Sequence, residues 1–426
     1  METMPQTTPN PRESGDLPSG TGDITAGQIA LAWVTQFLVG TDLFVVSPLL
    51  PELARGFHVS FSQIGLTVTG FSLAYVVAAP LLGRVADRTD RRLVLVAALV
   101  LFSAANIGTA LAPDFATLIV MRVIAGVAGA ATGPTVYALT SLRARPEHRG
   151  QVLAIVGSGL LTALWVGAPL GALLGTHVGW RQVFVILACC TAVLTVPHLR
   201  SWGPVDTTAR PAPDHGHAPR AATLGPILLA VAVTMCWALA VYALYTFLAV
   251  ACDLRGHGGA VPLLLVAYGV GAVIGGLTGG RAADRLGPRH VVTATLLGTA
   301  VLEVLVAVAF PATPALIATL APFALVAYAM FPAQQRQLVD RFPADATTML
   351  SWNNSALFIG LSLAGFLGGP VLHSYGYPTL LIAASVSAVI AALLNHLGSP
   401  AGRGGRPSNA TPGEFPIVRP SGPDPT

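Results

Sequence analysis

Three charged residues lie inside long apolar stretches of the sequence, where an ionised side chain is costly. They are Asp42, Arg122 and Glu303. A charge at the middle of a bilayer costs about 2.5–3.5 kcal/mol on insertion scales, so each requires an opposite charge, a proton or water. A carboxylate beside a guanidinium gains or loses its proton as hydration and pair geometry change. Asp42 and Arg122 are therefore the predicted proton-coupling residues, provided that the stretches that contain them are neighbours in the fold.

Asp42 and Arg122 are expected at the same depth. The apolar stretch that contains Asp42 ends near Pro51, about 13 Å away at 1.5 Å per residue. The stretch that contains Arg122 begins near Phe115, about 10 Å away on the same side. A static structural ion pair is the alternative to a coupling role. Glu303 has a similar depth, and its context leaves a structural and a functional role open.

Residue types exclude several kinds of chemistry. All 23 basic residues are arginine, whereas a phosphate-binding loop and a Schiff base both require lysine. The cysteines and the pair His215 and His217 lack the spacing of metal ligands. We therefore predict no enzymatic activity, no metal, no cofactor and no nucleic-acid partner.

The elements that position these residues are membrane helices. Of 426 residues, 53% are hydrophobic and only 10% charged, with a mean hydropathy of +0.68; a soluble domain has about 25% charged residues. A membrane helix needs about 20 apolar residues. The predicted spans are 24–50, 62–83, 93–112, 115–140, 150–174, 180–199, 223–250, 259–280, 290–310, 314–337, 347–372 and 377–397.

Arginines set the predicted orientation. Fifteen arginines fall in the loops on the side of both termini, and three fall in the loops on the other side. Cytoplasmic loops carry an excess of positive charge, so both termini are predicted to be cytoplasmic. The three arginines on the other side are Arg55, Arg181 and Arg255.

The spans divide into two halves. A proline-rich segment without periodicity, 201–222, is predicted to be a cytoplasmic linker. It separates an N-terminal six-helix bundle, 24–200, from a C-terminal one, 223–397. The polar ends, 1–23 and 398–426, are predicted to be disordered and cytoplasmic.

One six-residue pattern occurs in both halves. Residues 83–88 and 280–285 both read Gly-Arg-x-Ala-Asp-Arg, 197 positions apart, and each follows the second span of its half. A further arginine comes at the same distance after each copy, at Arg92 and Arg289. The same string at equivalent places indicates a duplicated bundle.

This loop resembles the signature of the major facilitator superfamily, Gly-x-x-x-Asp-Arg-x-Gly-Arg-Arg/Lys, between helices 2 and 3. The resemblance implies an all-α fold of twelve transmembrane helices in two pseudo-symmetric six-helix bundles. It also implies that the loop residues lock the two halves together on the cytoplasmic side, although solvated charges are the alternative. The implied gate residues are Gly83, Asp87, Arg88, Gly280, Asp284 and Arg285. Asp90 replaces the signature glycine that Gly287 keeps, which is expected to loosen the turn.

Other stretches resemble the drug:proton antiporters with twelve spans, with a likeness to arabinose-efflux permeases in span 11. The matching residues are 41–51, Arg122 with Gly126 and Gly129, 167–171, 179–184 and 353–360. In span 5, Gly167, Gly171 and Gly175 form a stripe that favours close helix packing. Pro169 within it predicts a helix bend at the seam between the halves.

Substrate would contact residues on the spans that line the central cavity in the resembled fold. The predicted cavity residues are Phe44, Tyr137, Trp237, Tyr242, Tyr245, Tyr328, Asn353 and Asn354. Packing is the alternative for these aromatic side chains.

These observations predict a secondary transporter that exports small organic compounds, such as drugs or antibiotics, in exchange for protons. We expect it to be a monomer in a bacterial-type cell membrane. One alternative is efflux of a sugar or other polar metabolite. A second is a receptor or scaffold that keeps the fold without transport.

Overall fold

A computed structural model describes residues 24–203 and 221–398. Within these ranges lie twelve helices that are long and apolar enough to cross a membrane. They are α1 Ala26–Phe57, α2 Phe61–Arg88, α3 Arg91–Ala110, α4 Phe115–Arg143, α5 Arg149–Val178, α6 Trp180–Ser201, α7 Leu224–Leu254, α8 Gly258–Leu286, α9 Pro288–Ala309, α10 Thr313–Arg341, α11 Thr348–Tyr375 and α12 Tyr377–Leu397. The predicted twelve-helix fold is confirmed.

The predicted terminal segments and most of the linker fall on residues 1–23, 204–220 and 399–426, which lie outside the described residues. We call the face on which α1 begins and α12 ends the terminal face. The other is the opposite face.

The first helix is longer than its apolar pattern indicates. It was predicted to end at Leu50 but continues through Pro51 to Phe57, where His58 adopts a left-handed conformation with φ 54°. The last turns persist because they are packed inside the protein, with Leu53 and Ala54 buried. Asp42 therefore lies about 22 Å from the end of α1 rather than about 13 Å.

The two halves are built alike. In the first half, α4 packs between α2 and α3, and α6 packs on α3. In the second half, α10 packs between α8 and α9, and α12 packs on α9. The equivalent pairings follow from the duplication that the repeated loop indicates.

The glycine stripes on α5 and α8 pack within their own halves. On α5, a methyl group at any glycine of the stripe would overlap a side chain of α1. The overlaps are Gly167 with Thr41, Gly171 with Val45 and Gly175 with Leu49. On α8, a methyl group at Gly271, Gly275 or Gly279 would overlap the α10 backbone at Ala321, Leu325 and Ala329. Small residues at these positions allow the two helices of each pair to approach closely.

The halves meet at the opposite face. Arg55 at the end of α1 forms an ion pair with Asp253 at the end of α7, with a nitrogen–oxygen distance of 2.6 Å. Nearby, α2 and α11 touch through backbone, because a methyl group on Gly65 would lie 2.5 Å from the Gly365 carbonyl oxygen. The opposite face is therefore closed.

The two repeated loops turn differently. Asp90 has φ −62°, and its side chain caps α3 by accepting a hydrogen bond of 2.9 Å from the Arg92 amide. In the second loop Gly287 occupies the left-handed region, with φ 85°, which favours glycine. The expectation that Asp90 loosens the first turn is wrong, because an aspartate cap replaces the glycine conformation.

Candidate functional site

Asp42 and Arg122 form a buried ion pair between α1 and α4. Arg122 Nη1 donates to Asp42 Oδ1 at 3.0 Å, and Nη2 donates to Oδ2 at 3.1 Å. The two residues are 0% and 1% exposed. A two-point guanidinium–carboxylate contact fixes the relative orientation of the groups as well as their distance. The structure thus brings together the two predicted proton-coupling residues.

Aromatic rings hold the Arg122 guanidinium in place. Its central carbon lies 4.9 Å from the centroid of the Phe71 ring and 5.8 Å from that of Phe184. Gly126, one turn further along α4, allows this approach because a methyl group there would overlap the Phe71 backbone. Arg122 Nε has no hydrogen-bond partner among the described residues. Its other two nitrogens, Nη1 and Nη2, both donate hydrogen bonds to Asp42.

The closed seam covers the ion pair on the side of the opposite face. Phe44 follows Asp42 on α1, and its carbonyl accepts a hydrogen bond of 3.2 Å from the Tyr245 hydroxyl of α7. The Phe44 and Tyr245 rings pack edge to face, 5.8 Å apart. This contact between α1 and α7 lies one turn or less from Asp42, toward the opposite face.

A group of four polar residues, the middle polar cluster, lies on the other side of the ion pair. Gln36 on α1 interacts with Tyr137 on α4, and Tyr75 on α2 interacts with Asn354 on α11. Gln36 precedes Asp42 by six residues, or about 9 Å along the helix. Tyr75 also stacks on a C-terminal-half ring, Phe358, at 3.8 Å. The cluster therefore spans both halves near the centre of the molecule.

Most of the predicted aromatic cavity residues pack against one another in the second half. Trp237 lies 6.3 Å from Tyr242 and 5.9 Å from Tyr328, and its indole nitrogen donates to the Ala327 carbonyl at 2.8 Å. Tyr268, which the sequence did not single out, lies 5.9 Å from Tyr328. These side chains are at most 7% exposed. They form a packed aromatic cluster beside the seam rather than an open surface.

The two adjacent asparagines have different surroundings. Asn353 is fully buried, and its Oδ1 accepts a hydrogen bond of 2.5 Å from Thr234 on α7. Asn354 instead belongs to the middle polar cluster. The two adjacent side chains therefore face different parts of the protein, and the predicted contact of either with substrate stays a prediction.

The predicted gate residues are exposed at the terminal face. Asp87 pairs with Arg91 of its own loop at 2.7 Å. In the second copy, Asp284 approaches Arg336 of α10 at 3.8 Å. Arg88 and Arg285 are exposed. Among the described residues, a methyl group at Gly83 would have no neighbouring atom within 4 Å, and one at Gly280 would contact only Pro332. Asp87 and Asp284 thus pair with arginines of their own halves.

The predicted bend in α5 coincides with a wider turn. Residues Ala163–Gly167 form a π-helical turn, in which the Ala168 amide donates to the Ala163 carbonyl five residues back. Pro169 follows directly and lacks an amide hydrogen. A methyl group at Gly269 of α8 would overlap Trp165 in this turn. The wide turn therefore contacts the seam between the halves.

Glu303 on α9 is buried without a partner. It is 0% exposed, and neither carboxylate oxygen has a hydrogen-bond partner among the described residues. An isolated ionised carboxylate in such surroundings is strongly disfavoured. Glu303 therefore lacks the compensation that Arg122 provides to Asp42, and it lies in the other half of the protein.

Comparisons with known proteins agree with this architecture. A sequence profile of the Major Facilitator Superfamily matches residues 32–261 and 227–420. The MFS-type transporter YceJ of Bacillus subtilis (strain 168) is 27% identical over 361 residues, covering 81% of this chain and 90% of the relative. The inner membrane transport protein YdhP of Escherichia coli (strain K12) is 29% identical over 382 residues, covering 86% and 94%.

A chloramphenicol resistance protein of Streptomyces lividans is 32% identical over 264 residues, covering 58% of this chain and 64% of the relative. Among solved structures, a bacterial homologue of the human lysosomal transporter Spinster superposes with a TM-score of 0.71 at 19% identity, covering 87% of this chain and 96% of that one. The nucleoside transporter NupG superposes with a TM-score of 0.71 at 14% identity, covering 88% and 99%. Because the family profile matches most of the sequence, the chain belongs to the Major Facilitator Superfamily and is a multi-pass membrane transporter rather than an enzyme.

Proposed function

We propose that this transporter exports small, neutral, largely apolar organic compounds in exchange for protons. The observation that carries the proposal is the buried two-point ion pair between Asp42 and Arg122. The pair belongs to two helices of one half, between the closed seam and the middle polar cluster. It can therefore respond to opening on either side.

A proton cycle follows from the surroundings of the pair. In the present state Asp42 is buried, and both of its carboxylate oxygens accept hydrogen bonds from Arg122. Opening of the contact between Phe44 and Tyr245 would admit water and a proton from the opposite face. A protonated Asp42 would release Arg122. A return to the sealed state would then require loss of the proton toward the terminal face.

The middle polar cluster supports the substrate class. Gln36, Tyr75, Tyr137 and Asn354 offer hydroxyl and amide groups and carry no charge. Aromatic rings adjoin them, so a neutral compound with a few polar groups suits the site better than an ion. The chloramphenicol resistance protein among the relatives is consistent with such a substrate.

The Asp42→Asn variant tests the proton site directly. Each charge that crosses the membrane is worth about 2.3 kcal/mol per 100 mV, enough for accumulation of about tens-fold. We expect the variant to lose uphill movement of radiolabelled chloramphenicol in vesicles with an imposed pH gradient. Downhill exchange of the same probe should persist, because asparagine imitates the protonated acid.

Glu147→Gln, a change at an exposed loop carboxylate, serves as the matched control and should behave as the wild type. If Asp42→Asn still concentrates the probe in response to the pH gradient, the proton site is elsewhere. If the wild type moves none of a panel of apolar drugs but moves sugars, the substrate class is wrong.

A further inference from the structure

A lateral cavity of about 580 Å³ opens beside the seam, away from the central site. Its walls come from both halves: Leu66 of α2, Leu239 and Ala243 of α7, Val371 of α11 and Ala384 of α12. Pockets that bind organic ligands usually have volumes of about 300–1,000 Å³. The cavity is thus large enough for a ligand and belongs to neither half alone.

The lining is apolar except at one end. Ser62 and Gln63, in the first turn of α2, are the polar side chains that line it. Gln63 Oε1 accepts a hydrogen bond of 3.0 Å from the Ser60 amide, and within the described ranges no acceptor engages the Gln63 amide nitrogen. The cavity therefore has a long apolar interior and hydrogen-bond donors, including the Gln63 amide, at one end.

The depth of the cavity matches one leaflet of a bilayer. Leu380 lies three residues from the start of α12 at the opposite face, or about 5 Å along the helix. Leu239 lies fifteen residues from the end of α7 at the same face, or about 22 Å. Half of the hydrocarbon core of a bilayer measures about 15 Å. The apolar interior thus covers the depth of the acyl chains of one leaflet.

The cavity opens sideways, toward lipid. Phe366 and Leu367 at its edge are 55% and 46% exposed on membrane-spanning α11. The segments of this chain outside the described ranges, 1–23, 204–220 and 399–426, all join the protein at the terminal face. They therefore start on the far side of the bilayer and are poor candidates to fill it.

We propose that the cavity binds one acyl chain of a phospholipid from the leaflet at the opposite face, with the headgroup near Gln63. The cavity lies between α2 of one half and α7, α11 and α12 of the other. The acyl chain therefore fills a space that exists while the seam is closed. A bound chain stabilises that closed state. This inference depends neither on the transported substrate nor on proton coupling.

Photolabelling of the full-length protein tests the site. Proteoliposomes would contain a phospholipid with a diazirine near the end of one acyl chain, and labelled peptides would be identified by mass spectrometry. We expect labelling of residues 239–243 and 366–371 to exceed that of Val301–Val308 on α9, whose exposed valines contact ordinary lipid. Equal labelling of both regions would show ordinary surrounding lipid only and overturn the proposal.

A cavity-filling variant provides a second measurement. Ala243→Phe places a ring in the apolar interior, whereas Ala192→Phe makes the same change on the lipid-exposed surface of α6. In native mass spectrometry we expect one retained phospholipid for the wild type and for Ala192→Phe, and its loss for Ala243→Phe. Retention by Ala243→Phe would contradict the site. Displacement of the photolabel by chloramphenicol would instead identify a drug path and also overturn it.

Discussion

Asp42 and Glu303 are carboxyl groups buried to the same extent, yet their surroundings are opposite. Asp42 receives both terminal nitrogens of Arg122, whereas Glu303 has no described partner for either oxygen. The surroundings therefore compensate a negative charge at Asp42 but not at Glu303. If the proposed proton exchange operates, the change in protonation is therefore expected at Asp42 and not at Glu303.

Removal of Arg122 should do more harm than neutralisation of Asp42. Loss of one partner of a buried ion pair costs about 3–5 kcal/mol, because the other charge is left without compensation. We expect Arg122→Ala to lower the thermal stability of the purified protein sharply, as followed by size-exclusion chromatography after heating. The double variant with Asp42→Asn should regain part of that loss. Equal stability of the single and double variants would contradict the stranded-charge explanation.

Substitution of Glu303, unlike that of Arg122, is expected to leave the protein stable and active. Glutamine is a neutral residue of the same shape, so Glu303→Gln should preserve both stability and transport driven by a pH gradient. The measurement is uptake of the drug probe at several imposed gradients, with Asp42→Asn as the inactive reference. Loss of gradient-driven transport in Glu303→Gln would make Glu303, not Asp42, the coupling carboxyl.

The sequence identified the buried charges because a charged residue in an apolar stretch is conspicuous. Gln36, Tyr75 and Tyr268 were not identified. An uncharged polar or aromatic residue in such a stretch is common, and its direction depends on helix rotation within the fold. The same ambiguity affected Asn353 and Asn354, whose side chains point to different neighbours although they are adjacent in sequence.

At the level of helices, α5 combines a rigid packing surface with an irregular turn. Its glycines lie against α1, while its π turn at Ala163–Gly167 contacts α8 through Trp165. Single π turns are often found at functional sites of helices. Pro169 maintains this irregularity because it cannot donate the hydrogen bond that would close a regular turn.

Pro169→Ala should regularise the turn and disturb the seam. The new amide can donate to the Trp165 carbonyl, which changes how this turn meets Gly269. We expect normal expression with slow or proton-leaky exchange, measured as probe exchange and as decay of a pH gradient in vesicles. Pro197→Ala, at an exposed proline within α6, is the matched control. Wild-type exchange together with an intact gradient would exclude a role for the bend.

Hydropathy predicted the existence and number of the helices but not their ends. The first two spans were predicted to end just before Pro51 and Arg84, whereas α1 continues past Pro51 and α2 continues to Arg88. Contacts with neighbouring helices hold the last turns of α1, where Leu53 and Ala54 are buried, and such contacts are not visible in a hydropathy pattern. A looser turn was predicted at Asp90 because this position was compared with the signature glycine, and an aspartate helix cap was not considered.

At the level of the whole molecule, the halves touch at the opposite face while the repeated loops are exposed at the terminal face. This is one of the two end states that alternating access requires. The lock that the family resemblance implies at Asp87 and Arg88 would form in the other state. The exposure of these residues here is consistent with that role and leaves it as a prediction.

Asp87→Asn should weaken the other state without unfolding the protein, since Asp87 is exposed and its present partner, Arg91, belongs to the same loop. We expect normal membrane insertion and strongly reduced export, measured as drug accumulation in an efflux-deficient bacterial host. Asp90→Asn is the control, because asparagine caps a helix as well as aspartate does. Full export by Asp87→Asn would show that its charge is not part of a gate.

The ion pair between Arg55 and Asp253 makes the closed face sensitive to the surrounding medium. The two side chains are 60% and 33% exposed, and such pairs contribute about 0.2–1 kcal/mol and are screened by salt. The Debye length falls from about 10 Å at 0.1 M to about 3 Å at 1 M ionic strength. If the predicted orientation holds, this pair faces the exterior while the repeated loops face the cytoplasm. External salinity would then shift the balance between the two states by up to about fivefold, a response that internal salt would not reproduce.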